Sequence, residues 1–316
     1  MSDNAKQILT ERLFEAYFKA RSNKRNTLSQ LRFEIDFEHN LLHLAEEIHC
    51  REYKLKPCVA FIAHKPVKRE IFAADFRDRV VHHLLHSAIN PIIERKLIHD
   101  TYSCRVGKGT LYGIKRIDKF IRSCSQNYQQ DAYILKLDIA GYFRNIRHAP
   151  LWDKTRKILS GKRHHYGGLS RELIDYLLSQ VIYTQAASNC TIKCPRREWQ
   201  GLPRSKSLFY AGRGCGLPIG NLTSQMFGNI FLNDFDHYVK HTLKVKYYGR
   251  YVDDMVFVHP SRESLRSIVG KVRKPCRVRS THHFLCFFCS AFHVGPNAVR
   301  TTHPTLATIH TLCFLQ

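Results

Sequence analysis

Apolar residues recur along this 316-residue chain at spacings that switch between helical and strand-like. Ile8, Leu9, Phe14, Tyr17 and Phe18 lie near a period of about 3.6, which predicts a helix over 5–21. A polar, basic break at 21–27 precedes a second helical pattern over 28–50. Residues 54–69 read as extended, punctuated by Pro57 and Pro66. Val80, Val81, Leu84, Leu85 and Ile89 mark the buried face of a helix within 76–93. Tyr133 to Asp138 is a short apolar run ending in a carboxylate, the pattern of a central strand. From 161 to 216 the chain is rich in Gly, Arg and Lys, a mixed helical and loop insertion. Met226, Ile230 and Val239 return to a helical stripe over 222–239, widened by Phe227, Phe231 and Phe235. Residues 247–258 read as two strands around a tight turn. There is no internal repeat.

Composition narrows the class. The 50 Lys+Arg against 26 Asp+Glu leave a formal charge of +24 and a pI near 9.8. With 44% hydrophobic and 11% aromatic residues, a disordered basic tail is excluded. No run of about 18 apolar residues argues for a membrane span. Residues 1–7 are polar and lack the apolar stretch of a signal peptide, so a cytoplasmic chain with reduced cysteines is expected. The positive excess predicts a polyanionic partner, nucleic acid first, with a solvated basic surface as the plain alternative. The 11 cysteines are odd in number and irregular in spacing, unlike a disulfide scaffold. Only Cys190 with Cys194 and Cys286 with Cys289 are close, and neither pair has a second at zinc-ribbon spacing. His282, His283 and His293 beside the second pair leave two readings, a metal site or an accident of composition.

The last 44 residues differ in kind. From Arg273 to Gln316 there is no Asp, Glu or Tyr, and Lys274 is the one lysine. A folded basic surface mixes both signs of charge. The stretch reads as a disrupted or out-of-frame ending, or else as a small His/Cys-containing appendage. Three regions result: an N-terminal helical region over 1–53, a central domain over 54–272, and an atypical tail over 273–316.

Three carboxylates carry the candidate chemistry. Asp138 ends one predicted strand; Asp253 and Asp254 stand side by side between two others. Adjacent carboxylates in apolar surroundings repel and lose hydration unless something neutralises them. Mg²⁺ takes hard oxygen ligands and keeps positions for phosphate and water. A third carboxylate on a neighbouring strand end completes a two-metal site for in-line phosphoryl transfer. An ordinary polar turn fits Asp253-Asp254 equally well; Asp138 and the basic surround favour the metal. Residues 216–225 form a Gly/Pro turn opening onto a helix, close enough for ligand approach at Gly216 and Gly220, with Asn221 or Thr223 as cap. Gly107-Lys108-Gly109-Thr110 is a weak phosphate-loop signal, since no glycine stands where a P-loop needs its first.

Taken together and in order, these residues resemble the reverse transcriptases. Leu135-Lys-Leu-Asp138-Ile-Ala-Gly-Tyr-Phe143 is similar to the family's first catalytic motif, Tyr251-Val-Asp-Asp254 to the second, and Gly216 to Gln225 to the template- and nucleotide-handling motif between them. The similarity runs from about Lys54 to about Val269. Pro218-Ile219-Gly220 followed by Asn-Leu-Thr-Ser224-Gln225, in place of Pro-Gln-Gly, resembles the diversity-generating retroelement enzymes, as does the stretch from Arg69 to Arg79.

The resemblance implies an α+β chain with right-hand fingers and palm, an antiparallel palm sheet packed on helices. It implies an RNA-directed DNA polymerase copying RNA into cDNA, error-prone at template adenines. Two Mg²⁺ ions would be held by Asp138, Asp253, Asp254 and the backbone carbonyl of Ile139. Phe143 would lie beneath the incoming sugar, Arg69 would meet the triphosphate, and Ile219, Gly220 and Gln225 would handle the nucleotide. Tyr251 would lie near the primer end, and Lys65, Lys68 and Arg79, with Lys54, Lys56 and Arg77, would track backbone phosphates. Core packing suits Phe143 and Tyr251 as well, and solvation suits Arg69. Implied partners are template RNA, the cDNA or primer strand, dNTPs and a small basic accessory protein. The family's lysine-bearing palm segment, primer-gripping hairpin and helical thumb have no counterpart beyond about Val269. Other readings are a retron, group II intron-like or phage-defence enzyme, and a truncated, inactive nucleic-acid-binding remnant.

Overall fold

The structure, a computed structural model, describes residues 3–22, 27–161, 164–278 and 287–294. In chain order its elements are α1 (Asp3–Ser22), α2 (Leu28–Glu34), α3 (Phe37–His49), β1 (Cys58–Ala63), β2 (Arg69–Ala73), α4 (Phe76–Glu94), α5 (Thr110–Cys124), β3 (Ala132–Ile139) and α6 (Tyr142–Asn145). There follow α7 (His148–Ile158), α8 (Arg171–Ile182), β4 (Cys190–Ile192), α9 (Leu222–His237), β5 (Tyr247–Tyr251), β6 (Asp254–His259), α10 (Arg262–Val278) and β7 (Phe287–Val294). The fold is α+β, with antiparallel sheet packed on helices as expected. The chain divides into two units, 1–96 with 143–230 and 97–142 with 231–316.

In the first unit α1 lies against α3 and α4. Leu9, Leu13 and Tyr17 are buried, and the Tyr17 ring stacks on Phe37 at 5.0 Å while meeting Phe76 edge-on at 6.1 Å. Asp75 starts α4: its Oδ1 accepts from Arg77 N at 3.1 Å, and Ser29 Oγ donates to its Oδ2 at 2.6 Å. The continuous helical pattern over 28–50 is in fact two helices. Asp36 leaves the helical region at φ −139°, and Asn40 Nδ2 donates to the Phe33 carbonyl at 3.0 Å across the break. A three-stranded sheet, in the order β2-β1-β4, stands on the same unit.

The second unit holds a four-stranded antiparallel sheet in the order β5-β6-β3-β7. Ile114, Ile117 and Ile121 of α5 pack with Ile134, Val256 and Val258 in one buried cluster. Gly107 to Thr110 serves as the junction into α5, with Gly109 in the cap position and Lys108 Nζ donating to the His99 carbonyl. β7 falls within the stretch of deviant composition and pairs along the whole of β3, from Ala132 opposite Val294 to Ile139 opposite Phe287. Residues 273–278 of the tail end α10, whereas 279–286, with His282, His283 and Cys286, and 295–316 lie outside the described residues. Among the described residues no helix is long and apolar enough to cross a membrane.

Candidate active site

Strand register brings the three carboxylates to one place within the second unit. The β3–β6 ladder ends with Leu137 opposite Met255, one residue short of both Asp138 and Asp254. Tyr251 pairs with Asp254 across the β5–β6 hairpin, leaving Val252 and Asp253 as its turn. Val252 sits at φ +55°, the left-handed region that a β-branched side chain adopts only under constraint.

The constraint comes from below. Arg250 is fully buried and donates from Nη1 to the Val252 carbonyl at 2.6 Å. The same guanidinium donates from Nε and Nη2 to the Asp236 carboxylate at 2.9 and 2.6 Å. Tyr248 Oη donates to Asp236 Oδ1 at 2.6 Å, and burial followed by the Asp236 charge pushes the phenol well above its ordinary range. The Arg250 backbone is tied to the preceding segment, its N–H to the Asp100 carbonyl at 2.8 Å and its carbonyl to Tyr102 N at 2.9 Å. At Gly249 the Tyr102 ring approaches so closely that a Cβ would stand 2.9 Å from ring carbons. An ion pair under the turn thus fixes where the carboxylates point. Tyr248 and Arg250 share one strand face, but Gly249 between them is buried too, so no alternation marks the arginine, and nothing in the sequence marks its partner on α9.

The carboxylates themselves crowd like charge together. Asp253 is half-buried and within hydrogen-bonding reach of Asp138. Its carboxyl is pushed up to about 7, by burial first and then by Asp138 and Asp254. Lys136, two residues before Asp138 and so on the same face of β3, places Nζ 3.0 Å from Asp254 Oδ1. Three clustered carboxylates crowd negative charge onto hard oxygen donors, the donor set a divalent cation such as Mg²⁺ fits. Among the described residues no group of three or more His, Cys, Asp or Glu side chains is arranged around a metal position. Ile139, the last residue of β3, follows Asp138 directly. Tyr251 Oη accepts from Thr110 Oγ1 at 3.2 Å.

The nucleotide-handling residues belong to the first unit, where Gly216 to Gln225 is held from three sides. Leu217 N donates to the Phe143 carbonyl at 2.9 Å, and Phe72 N to the Ile219 carbonyl at 2.9 Å. Gly220 has φ +120°, and a Cβ there would stand 2.9 Å from Ile71 Cγ2. Asn221 directly precedes α9, and Thr223 lies within its first turn. Asn221 Oδ1 accepts from Ala74 N at 3.1 Å, and Thr223 Oγ1 pairs with His82 Nδ1 at 2.8 Å. Phe143 is half-buried in α6, and Gln225 is exposed on α9. Arg69 begins β2 and is exposed, as is Lys65 in the turn before it. Lys68 Nζ donates to the Gln200 carbonyl at 2.7 Å. Arg79 Nε donates to the Ala74 carbonyl at 3.1 Å, so this side chain braces the start of α4.

No curated protein sequence matches the chain. Solved structures similar to it include apo telomerase from Candida tropicalis truncated from its C-terminal domain, at 13% identity over 76% of this chain and 50% of that one, with a TM-score of 0.49. Telomerase from Candida albicans in complex with the TWJ fragment of telomeric RNA matches at 12% identity over 87% of this chain and 47% of that one, with a TM-score of 0.48. The chain spans about half the length of these structures. The family model for reverse transcriptase (RNA-dependent DNA polymerase) matches residues 65–281, a span that holds all three carboxylates, the hairpin turn and the glycine-bearing loop. The chain therefore belongs to the reverse transcriptase family.

Proposed function

We propose that this chain is an RNA-directed DNA polymerase that extends a primer along an RNA template by phosphoryl transfer. The observation that carries the reading is the cluster of Asp138, Asp253 and Asp254 at the ends of β3 and the β5–β6 hairpin, with its crowded negative charge. Asp138, Asp253 and Asp254, with the Ile139 carbonyl, are assigned to hold two Mg²⁺ ions. Bound there, the ions supply polarisation of the attacking 3′-hydroxyl and charge stabilisation on the phosphates. Arg250 and Asp236 keep the turn in place, so the carboxylates need little reorganisation when substrate arrives.

The remaining assignments follow by position. Phe143 faces the sugar and excludes a 2′-hydroxyl; Arg69 binds the triphosphate through charge-assisted hydrogen bonds. Ile219, Gly220 and Gln225 contact the nucleotide, and Tyr251 the primer end. Lys65, Lys68 and Arg79 contribute backbone affinity without sequence reading. The Pro218-Ile219-Gly220-Asn-Leu-Thr-Ser-Gln225 loop supports the narrower reading of a diversity-generating retroelement enzyme, error-prone at adenines and working with a small basic accessory protein.

Primer extension on an RNA template with Mg²⁺ tests the assignment. Incorporation should occur and should fall at least about a hundredfold in Asp253→Asn. Unchanged extension in that variant would remove the carboxylates from the chemistry. Misincorporation no more frequent opposite adenine than elsewhere would remove the narrower reading. Nucleic-acid binding without incorporation by the parent chain would make it a binding remnant, the reading the composition of 273–316 favours.

A further inference from the structure

The first unit carries a second basic feature that the proposed chemistry does not use. Between β4 and the Gly216 loop, residues 193–213 contain six basic side chains, Lys193, Arg196, Arg197, Arg204, Lys206 and Arg213, against the single acid Glu198. All six are exposed, and among the described residues no carboxylate pairs with any of them. Glu198 is already committed to His64, at 2.6 Å.

This segment is short on regular structure but not loose. Glu70 of β2 is buried and accepts three hydrogen bonds from it: Trp199 Nε1 at 2.6 Å, Ser207 Oγ at 2.8 Å and Leu208 N at 2.5 Å. Phe209 packs on Phe72 at 5.3 Å and on Trp199 at 6.0 Å, and Lys68 holds the Gln200 carbonyl. Beside this anchor, the Arg204 guanidinium lies over the Tyr210 ring at 5.0 Å, and Tyr210 is half exposed. The result is a fixed platform: uncommitted cations around an exposed aromatic and guanidinium stack.

We propose that residues 193–213 form a docking surface for single-stranded RNA outside the catalytic carboxylates. Cations alone would accept any polyanion. The stacked planes select among them, because unpaired bases offer π-faces that a duplex hides and an acidic protein lacks. RNA rather than DNA follows from the proposed function, in which the product DNA is paired and the template is the strand with unpaired length. Preorganisation by Glu70 means that binding orders little new chain.

The test is equilibrium binding of a fluorescent single-stranded RNA to the full chain across a salt series. Neutralising three cations in R196Q/R197Q/R204Q should lower the slope of log affinity against log salt by about 2, at roughly 0.7 per single-strand contact. Tyr210→Ala should weaken binding at least about fivefold while leaving the slope unchanged. Duplex RNA and polyglutamate should each compete less well than the single-stranded RNA. Parental affinity and slope in the triple variant would overturn the surface. Equal competition by duplex or polyglutamate would overturn the assignment to single-stranded RNA. The altered side chains are exposed, so an unchanged melting temperature certifies the fold. Primer extension on a short paired hybrid, run in parallel, separates the two readings. Loss of extension in the parent with RNA binding retained counts against the polymerase and not against this surface.

Discussion

His82 shows how one side chain couples the fold to its conditions. It is buried on α4, shares a hydrogen bond with Thr223, and burial holds its imidazole down at about 3. His83 beside it is held down to about 4, again by burial first. In the unfolded chain both take protons near 6.5. Stability is therefore full above about 6.5 and falls as pH drops toward the folded values, by about 3 kcal/mol at pH 4 from His82 alone. Asp78, pushed up to about 6 by burial, opposes part of this fall as it regains its proton. Denaturant titrations at pH 7, 5.5 and 4 should show a net loss, and His82→Gln should flatten it. Arg250 marks the other kind of residue. Arg250→Met strands the Asp236 carboxylate without its partner and frees the Val252 carbonyl, which should cost about 3–5 kcal/mol in urea unfolding. Arg250→Lys recovers only part, since one ammonium cannot reproduce the fork that spans Asp236 and Val252.

At the level of elements, β3 and the β5–β6 hairpin were legible because their apolar runs end in carboxylates and their turn is short. The α4 stripe was legible because five apolar positions repeat at helical spacing. The split between α2 and α3 was hidden, since Asp36 breaks the backbone without breaking the apolar pattern. β7 was hidden for a different reason: its residues, Phe287 to Val294, lack clean alternation, and β3 alone supplies its pairing partner. The carboxylates of the site could be named from sequence, whereas Lys136 opposite Asp254 needed the register. That pair makes a prediction at the element scale. Lys136→Met removes the ammonium that faces Asp254, so the metal-free protein should melt lower. Mg²⁺ should then raise the melting temperature more in the variant than in the parent, by linkage to binding. Gly220→Ala tests the loop. At φ +120° and against Ile71, it should cost on the order of 1–3 kcal/mol and raise the KM for nucleotide.

For the whole molecule, the +24 charge is distributed rather than collected at the carboxylates. A share lies on 193–213, and another lies on 273–316, where the end of α10 and β7 are described. Ending the chain after Val294 retains the β3–β7 ladder and sets the reference melting temperature. Ending it after Val278 removes eight cross-strand pairs and should cost several kcal/mol, at roughly 0.2–1 kcal/mol per pair. If the two truncations melt alike, β7 contributes nothing to the sheet.

The strand order β5-β6-β3-β7 also sets a timetable for the chain as it leaves the ribosome. Both neighbours of β3 are made after it, and the nearer, β6, begins about 115 residues later. At roughly 5–20 residues per second, the apolar run from Tyr133 to Leu137 waits on the order of ten seconds for its first partner. The second, β7, is completed only within the last stretch of the chain. During that interval both edges of β3 stand open to neighbouring nascent chains, a setting in which slow, non-local pairing invites aggregation. Yield in cells should therefore respond to slower translation or added chaperone more strongly than the finished protein's stability would suggest.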